Sequence, residues 1–287
     1  MKVLRLHFTL PVAHWRVPFT QQHIHRTYPL PPPSTVLGMI HNVCGCKKEE
    51  KILGIDMAIA GKYEFMFYQY QLFRNLANPV KHAYKEAHPG QSMPTQVQLL
   101  GNVELYIYLS IQKDVKPKNE KEEKVLSLDE IKNYFANPSV PFIIGRKEDI
   151  AVLEDEPVII ELEEKPLPFS LQKFSCWVPV DQNSGLKGVV YLLPFYYEKI
   201  NDIRNFKKIR CIYAEPQVIP LVNNEVNQKT KNQNANPGVA IPLVNNEVSR
   251  GYVDEVFCIE NRKDKEDKKV KIPVFFLKSE EKENGKQ

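Results

Sequence analysis

The chain has 287 residues, 43% apolar and 26% charged, with 22 prolines, 12 glycines and five cysteines and a net charge of +4. That composition belongs to a globular protein of one large or two small domains and excludes collagen, coiled coils and disulfide mini-proteins. No apolar run approaches the ~20 residues that span a bilayer, charges interrupt the N-terminal apolar stretch where a secretory signal has none, and an odd cysteine count without Cys-x-x-Cys reads as reduced thiols in a cytoplasm.

The small net charge hides an uneven distribution. Residues 1–48 carry Lys2, Arg5, Arg16, Arg26, Lys47 and Lys48 and no acid. Residues 1–100 hold 11 Lys/Arg, 5 Asp/Glu and all seven histidines, whereas residues 101–287 hold 28 bases and 30 acids. A polarised chain of this kind suits a polyanion on its N-terminal part, although two solvated faces without a ligand have the same signature.

In chain order, Leu4, Leu6, Phe8 and Leu10 alternate with Arg5, His7 and Thr9, which predicts a half-buried first strand. After Tyr28-Pro29-Leu30-Pro31-Pro32-Pro33, Ser34 stands as the N-cap of a helix through Val36, Leu37, Ile40 and Val43, stopped by Gly45. Gly61 to Arg74, rich in aromatics, reads as one long strand whose rings belong in a core. Val103 to Ile111 alternates again, with Glu104, Tyr106 and Tyr108 facing out. Ser127 to Glu130 is a capping box for a helix ended by Asn137-Pro138, and Val140 to Ile144 is a further strand. The expected fold class is α+β: a ferredoxin-like (RRM-like) βαββαβ domain over 1–149 with a long thumb insertion at 75–102, then a smaller, mostly-β domain over 150–277 and a flexible tail at 278–287. Such a sheet leaves one face free, the face on which RNA-recognition domains stack bases, but topology alone licenses no function. The segment Ile219 to Val226 recurs unchanged at 241–248, too few copies for a solenoid.

The stretch from His14 to Gly45, with Tyr28 to Gly38 at its centre, resembles the start of the fifth family of CRISPR-associated (Cas) proteins, in the repeat-associated RNA-binding (RAMP) superfamily. Pro141 to Asp149 resembles that family's strand followed by Gly-Arg and a polar turn. The likeness covers residues 1–153 and is greatest to the type I-B group. It implies a non-catalytic, cytoplasmic subunit of a surveillance complex (Cascade) that caps the 5′ handle of the guide RNA in antiviral defence. The partners it implies are the guide RNA, a repeated backbone subunit, a large subunit, a guide-processing endonuclease, a recruited helicase-nuclease and, through the complex, target DNA. It places a thumb over the guide where residues 75–102 lie. From the residues themselves no cofactor or metal is expected, because no His/Cys/Asp cluster has a recognised ligand spacing and no Gly-rich phosphate loop is present.

Candidate RNA-binding residues follow from chemistry. Arg16, Arg26, Arg74, Lys81 and Lys85 are the expected phosphate contacts, because guanidinium groups fork onto phosphate oxygens and few acids compete. Tyr28, Tyr84, His23, His25, His82 and His88 are stacking or base-edge candidates, with Gln91 in the same loop. Gly145 allows close backbone approach beside Arg146 and Lys147, and Lys187 sits in a Gly-containing loop over 183–188. Two readings compete with guide capping. One is metal-independent cleavage of precursor RNA, which would draw on His23, His25, Tyr28, Lys81 and His82. The other is a ferredoxin-like scaffold that binds no nucleic acid.

Overall fold

A computed structural model of the chain describes residues 1–20, 24–47, 50–74, 92–112, 115–117, 119, 122–167, 173–180, 189–200, 203–215, 249–258 and 268–278. The elements are β1 (Lys2–Ala13), β2 (Ile24–His25), α1 (Pro33–Val43), β3 (Lys51–Ile52), β4 (Ile55–Lys62), β5 (Phe65–Arg74), β6 (Ser92–Ile111) and β7 (Glu123–Lys124). They continue with α2 (Leu128–Ala136), β8 (Phe142–Ile143), β9 (Ile150–Leu153), β10 (Val158–Glu161), β11 (Glu163–Leu167), β12 (Ser175–Pro179), β13 (Val190–Ile200), β14 (Ile203–Ala214), β15 (Ser249–Cys258) and β16 (Lys268–Val274). Most strands join one sheet of order β13-β14-β12-β4-β6-β1-β9-β8, with β10 added to β1 and both β2 and β5 added to β6. Only β2 runs parallel to its neighbour in that sheet. No helix among the described residues is long and apolar enough to cross a membrane.

The helices form where the sequence predicts them. α2 carries the Ser127–Glu130 capping box in both directions. α1 begins two residues before the expected start: Pro32, not Ser34, is the N-cap, without a side-chain hydrogen bond, and Pro33 occupies N1. Proline suits that place because its φ is already helical and its missing N–H is one the helix would leave unpaired. At the other end Gly45, at φ +64°, donates to Asn42 O while Cys46 N donates to His41 O. That pair of bonds is a Schellman closure, and glycine takes its left-handed position without Cβ strain.

Three expectations are corrected. The single strand over 61–74 is two, because β4 pairs residues 104–111 of β6 and β5 pairs residues 92–101. The break falls opposite Asn102, whose φ of +50° bends β6 and whose side-chain amide donates to Glu64 at 2.6 Å. Asparagine is among the few residues that adopt this conformation readily. The insertion expected over 75–102 is shorter, since 92–102 belongs to β6; residues 75–91 lie outside the described residues, as do the 219–226 and 241–248 copies and the tail from 279.

The third correction concerns the sheet face expected to be free. Leu4, Leu6, Phe8 and Leu10 of β1 pack with α1 and α2 in one core. On the opposite face Tyr106 and Tyr108, expected to point outward, are buried in a second core with Phe174, Val178, Ile272, Phe275 and Phe276. The C-terminal residues therefore cover this face. The boundary drawn at 149/150 also has hydrogen bonds across it: β12 pairs β4, and β14 and β13 extend the sheet from there, while β11, β15 and β16 form a separate three-stranded sheet.

Candidate nucleic-acid interface

The site starts where β1 ends. The chain leaves Ala13 and returns by Tyr28, and the two limbs are tied by Tyr28 N to Trp15 O at 2.7 Å, Val17 N to Arg26 O at 2.9 Å and Trp15 N to Thr27 Oγ1 at 2.8 Å. The loop is fixed to β6 as well: Gln98 Oε1 accepts from Thr27 N at 3.1 Å, and the Gln98 carbonyl bonds His14 Nδ1 at 2.7 Å. Burial lowers the pKa of His14 against that carbonyl's pull, so the ring is neutral and structural. This scaffold leaves Arg16 and Arg26 exposed, with Phe19 85% exposed between them. No described carboxylate pairs with either arginine.

The Gly-Arg turn packs against the same loop but is organised differently. Arg146 donates from Nε and Nη2 to Asp149 and from Nη1 to Glu148, and Asp149 also accepts from the backbone N–H groups of Arg146 and His14. Asp149 is 1% exposed. A Cβ on Gly145, at φ +136°, would stand 2.7 Å from Asp149 Oδ2 and 3.1 Å from His14 O, so only glycine fits. Trp15 Nε1 completes the junction by donating to Ile144 O at 2.8 Å. The guanidinium expected to approach the RNA is thus occupied by the protein's own carboxylates, and Arg146 clamps this turn onto the end of β1. Lys147 is exposed beside it.

Beyond Leu100, β6 runs past the end of β1 and carries β5 with it. Antiparallel partners share a face, so Tyr68, Tyr70, Leu72 and Arg74 stand with Gln98, Gln96, Pro94 and Ser92. On the other side of β6, β2 sets Ile24 beside Gln96, and Arg26 follows two residues on. The result is one surface bearing Arg26, Ile24, Gln96, Tyr68, Tyr70, Leu72 and Arg74, with no acid on it among the described residues. Tyr70 is 67% exposed and Tyr68 52%; Gln98 Nε2 donates to Tyr68 Oη at 3.1 Å and holds that ring in place. Arg26 and Arg74 stand six residue rows apart, about 20 Å at the strand rise.

The structure therefore leaves Arg16, Arg26 and Arg74 exposed, the last two on one surface, and removes others from solvent. Tyr28, 3% exposed, packs edge-on against Tyr191, and burial raises its pKa. His25, 5% exposed, lies 5.2 Å from the Phe73 ring. Neither offers a ring face to a base, because each is packed under its own loop. His23, Lys81, His82, Tyr84, Lys85, His88, Gln91 and Lys187 lie outside the described residues. Sequence reasoning missed the tyrosines of β5, assigned to a core that does not reach them. The alternating run Tyr68-Gln69-Tyr70-Gln71 was the available signal, since polar residues every second place deny the strand two buried faces. Among the described residues no three His, Cys, Asp or Glu side chains gather as a metal site.

Among solved structures the chain is similar to a CRISPR RNA-guided surveillance complex (10% identity, 73% of this chain and 88% of that one, TM-score 0.46) and to a Cas protein (16%, 75% and 95%, 0.39). It is also similar to a CRISPR protein from Archaeoglobus fulgidus (12%, 76% and 88%, 0.34). No curated protein matches. The family model described as CRISPR-associated protein (Cas_Cas5) matches residues 3–174, three-fifths of the chain and the whole of the described interface; the protein belongs to the CRISPR-associated Cas5 family.

Proposed function

We propose that this protein is the non-catalytic subunit that binds the 5′ handle of a CRISPR guide RNA within a type I surveillance complex, in the type I-B group that residues 28–38 resemble. The observation that carries this reading is the acid-free surface of Arg26, Arg74, Tyr68 and Tyr70. It combines cations for phosphates with exposed π faces for unpaired bases, the pairing that single-stranded nucleic acid requires. Family membership supports the same assignment, with the other subunits and target DNA as partners of the assembled complex. The order β4-β6-β1-β9, antiparallel throughout with α1 and α2 on one face, supports a ferredoxin-like domain at its centre.

The test is equilibrium binding of a handle-containing RNA across a salt series. Affinity falls steeply with salt, and Arg26→Ala and Arg74→Ala each flatten the log–log slope by about one phosphate contact. Salt-insensitive or absent binding, alone and in the complex, would sink the reading in favour of a scaffold. Burial of His25 and Tyr28 supports the non-catalytic assignment, because two of the groups that metal-independent cleavage would use are withdrawn from solvent. Repeat RNA incubated with the protein in EDTA stays intact; handle-releasing cleavage abolished by His23 or His82 substitutions would reverse that assignment.

A further inference from the structure

A cavity of about 540 Å³ opens between α1, the start of β4 and the β13–β14 hairpin, away from the surface described above. Its wall includes Ser34 and Gly38 of α1, Lys51, Lys116, and the rings of Tyr197 and Phe206. Gly38 is the informative residue. It lies inside a helix, where glycine costs about 1 kcal/mol relative to alanine, and it has no positive φ to require it. Nor does close packing exclude a side chain, since a Cβ built there meets nothing within 4 Å. What a larger residue at 38 would take away is the cavity itself.

The chemistry of the wall selects an occupant. Tyr197 and Phe206 stand 5.7 Å apart at 56°, a tilted pair of rings on the wall, and Lys51 Nζ lies 5.6 Å over the Tyr197 ring. Lys116 adds a second cation. The carboxylates that reach the wall are already engaged: Glu50 with Lys124 at 2.7 Å, and Glu123 with the Asn119 N–H at 3.2 Å. Lys207, Lys208 and Arg210 follow Phe206 along β14 and are exposed, carrying positive charge away from the cavity. An aromatic recess rimmed by cations fits a planar, anionic ligand, and its volume lies within the range of about 300–1,000 Å³ usual for small-molecule pockets. We propose that the α1–β13/β14 cavity is a nucleotide-binding pocket that takes one base with its phosphate, from a free mononucleotide or from a nucleic-acid strand.

The test uses the full chain and Gly38→Leu, which fills the cavity with a better helix former, with Tyr197→Leu as a second variant should the first not fold. AMP, GMP, CMP and UMP are titrated by saturation-transfer NMR, and an eight-nucleotide single-stranded RNA by fluorescence anisotropy. At least one probe binds saturably, tenfold or more weaker in Gly38→Leu at an undiminished thermal midpoint, and several-fold weaker in Lys51→Ala. An effect on mononucleotides assigns the free ligand, and an effect on the octamer alone assigns a strand. A folded Gly38→Leu that binds every probe as the parent does overturns the pocket, as does a parent that binds none, which would leave the recess to a partner's side chain. The two proposals fail separately: octamer binding that Arg26→Ala weakens and Gly38→Leu leaves unchanged, in a chain that binds none of the mononucleotides, overturns the pocket alone. Mononucleotide binding that Gly38→Leu abolishes, in a chain without affinity for handle RNA, overturns guide binding alone.

Discussion

The two halves of β6 put the same residue type to opposite uses. From Val103 to Leu109 the strand lies between two cores, and its tyrosines at 106 and 108 are buried under Phe174, Phe275 and Phe276. From Ser92 to Gln98 it extends beyond β1, and the tyrosines of its partner β5 stand in solvent. Tyrosine, with an apolar body and a polar tip, is stable in either setting. Whether it serves as core or as a platform for a base depends on what the rest of the chain lays over it, and here the described C-terminal residues cover one half and not the other.

The most severe way to break this contrast is to uncover the inner half. Phe174 is 1% exposed and meets Tyr106 edge-on at 5.2 Å, so Phe174→Ala costs about 3–4 kcal/mol in urea unfolding without creating a binding surface. Asp149→Ala comes next. It strips the buried carboxylate from Arg146, side chain 22% exposed, and costs about 3 kcal/mol, which a lowered urea midpoint measures. Tyr70→Ala sharpens the contrast from the other side. It weakens handle RNA by about 1–3 kcal/mol while the thermal midpoint stays within a degree or two, and a matching loss of stability would return Tyr70 to the core.

The smallest effect is on pH dependence, at the inner end of β1. Burial pulls the His7 pKa down, but hydrogen bonds to Glu104 at 3.1 Å and Asp155 at 2.7 Å outweigh it and the net shift is upward. A raised folded pKa stabilises fully below the unfolded value of 6.5 and stops doing so as pH rises through the folded value. The stability difference between the parent and His7→Gln therefore shrinks as pH rises above 6.5. Paired urea titrations at pH 6 and 8 measure it; a constant difference would mean that the ring acts only through its stack on Tyr106, 4.2 Å away.

Local chemistry made much of this legible in advance. The capping box at Ser127 needs four residues and its own hydrogen bonds; Gly45 needs one turn; the alternation over Leu4 to Leu10 needs one buried face. Arg16, Arg26 and Arg74 were identified because an acid-free neighbourhood is a property of sequence. The Arg146 clamp was not legible, since its phosphate-like partner is a carboxylate three residues on that becomes inescapable only when Gly145 folds the turn against His14. The cavity beside Gly38 was illegible for a related reason: its walls come from residues 34–55, 115–123 and 195–206.

By itself the sequence determined the charge polarity, both helices, the first strand and the family, because each rests on short-range patterns that propensity, capping and spacing enforce. Tertiary structure alone decided which tyrosines face solvent, which arginines are already paired, and that residues beyond 170 close the sheet face expected to hold RNA. Burial depends on contacts between segments far apart in the chain, and the Arg146–Asp149 pair is seated by the His14 N–H 135 residues away; no local pattern records which surface a distant segment will cover.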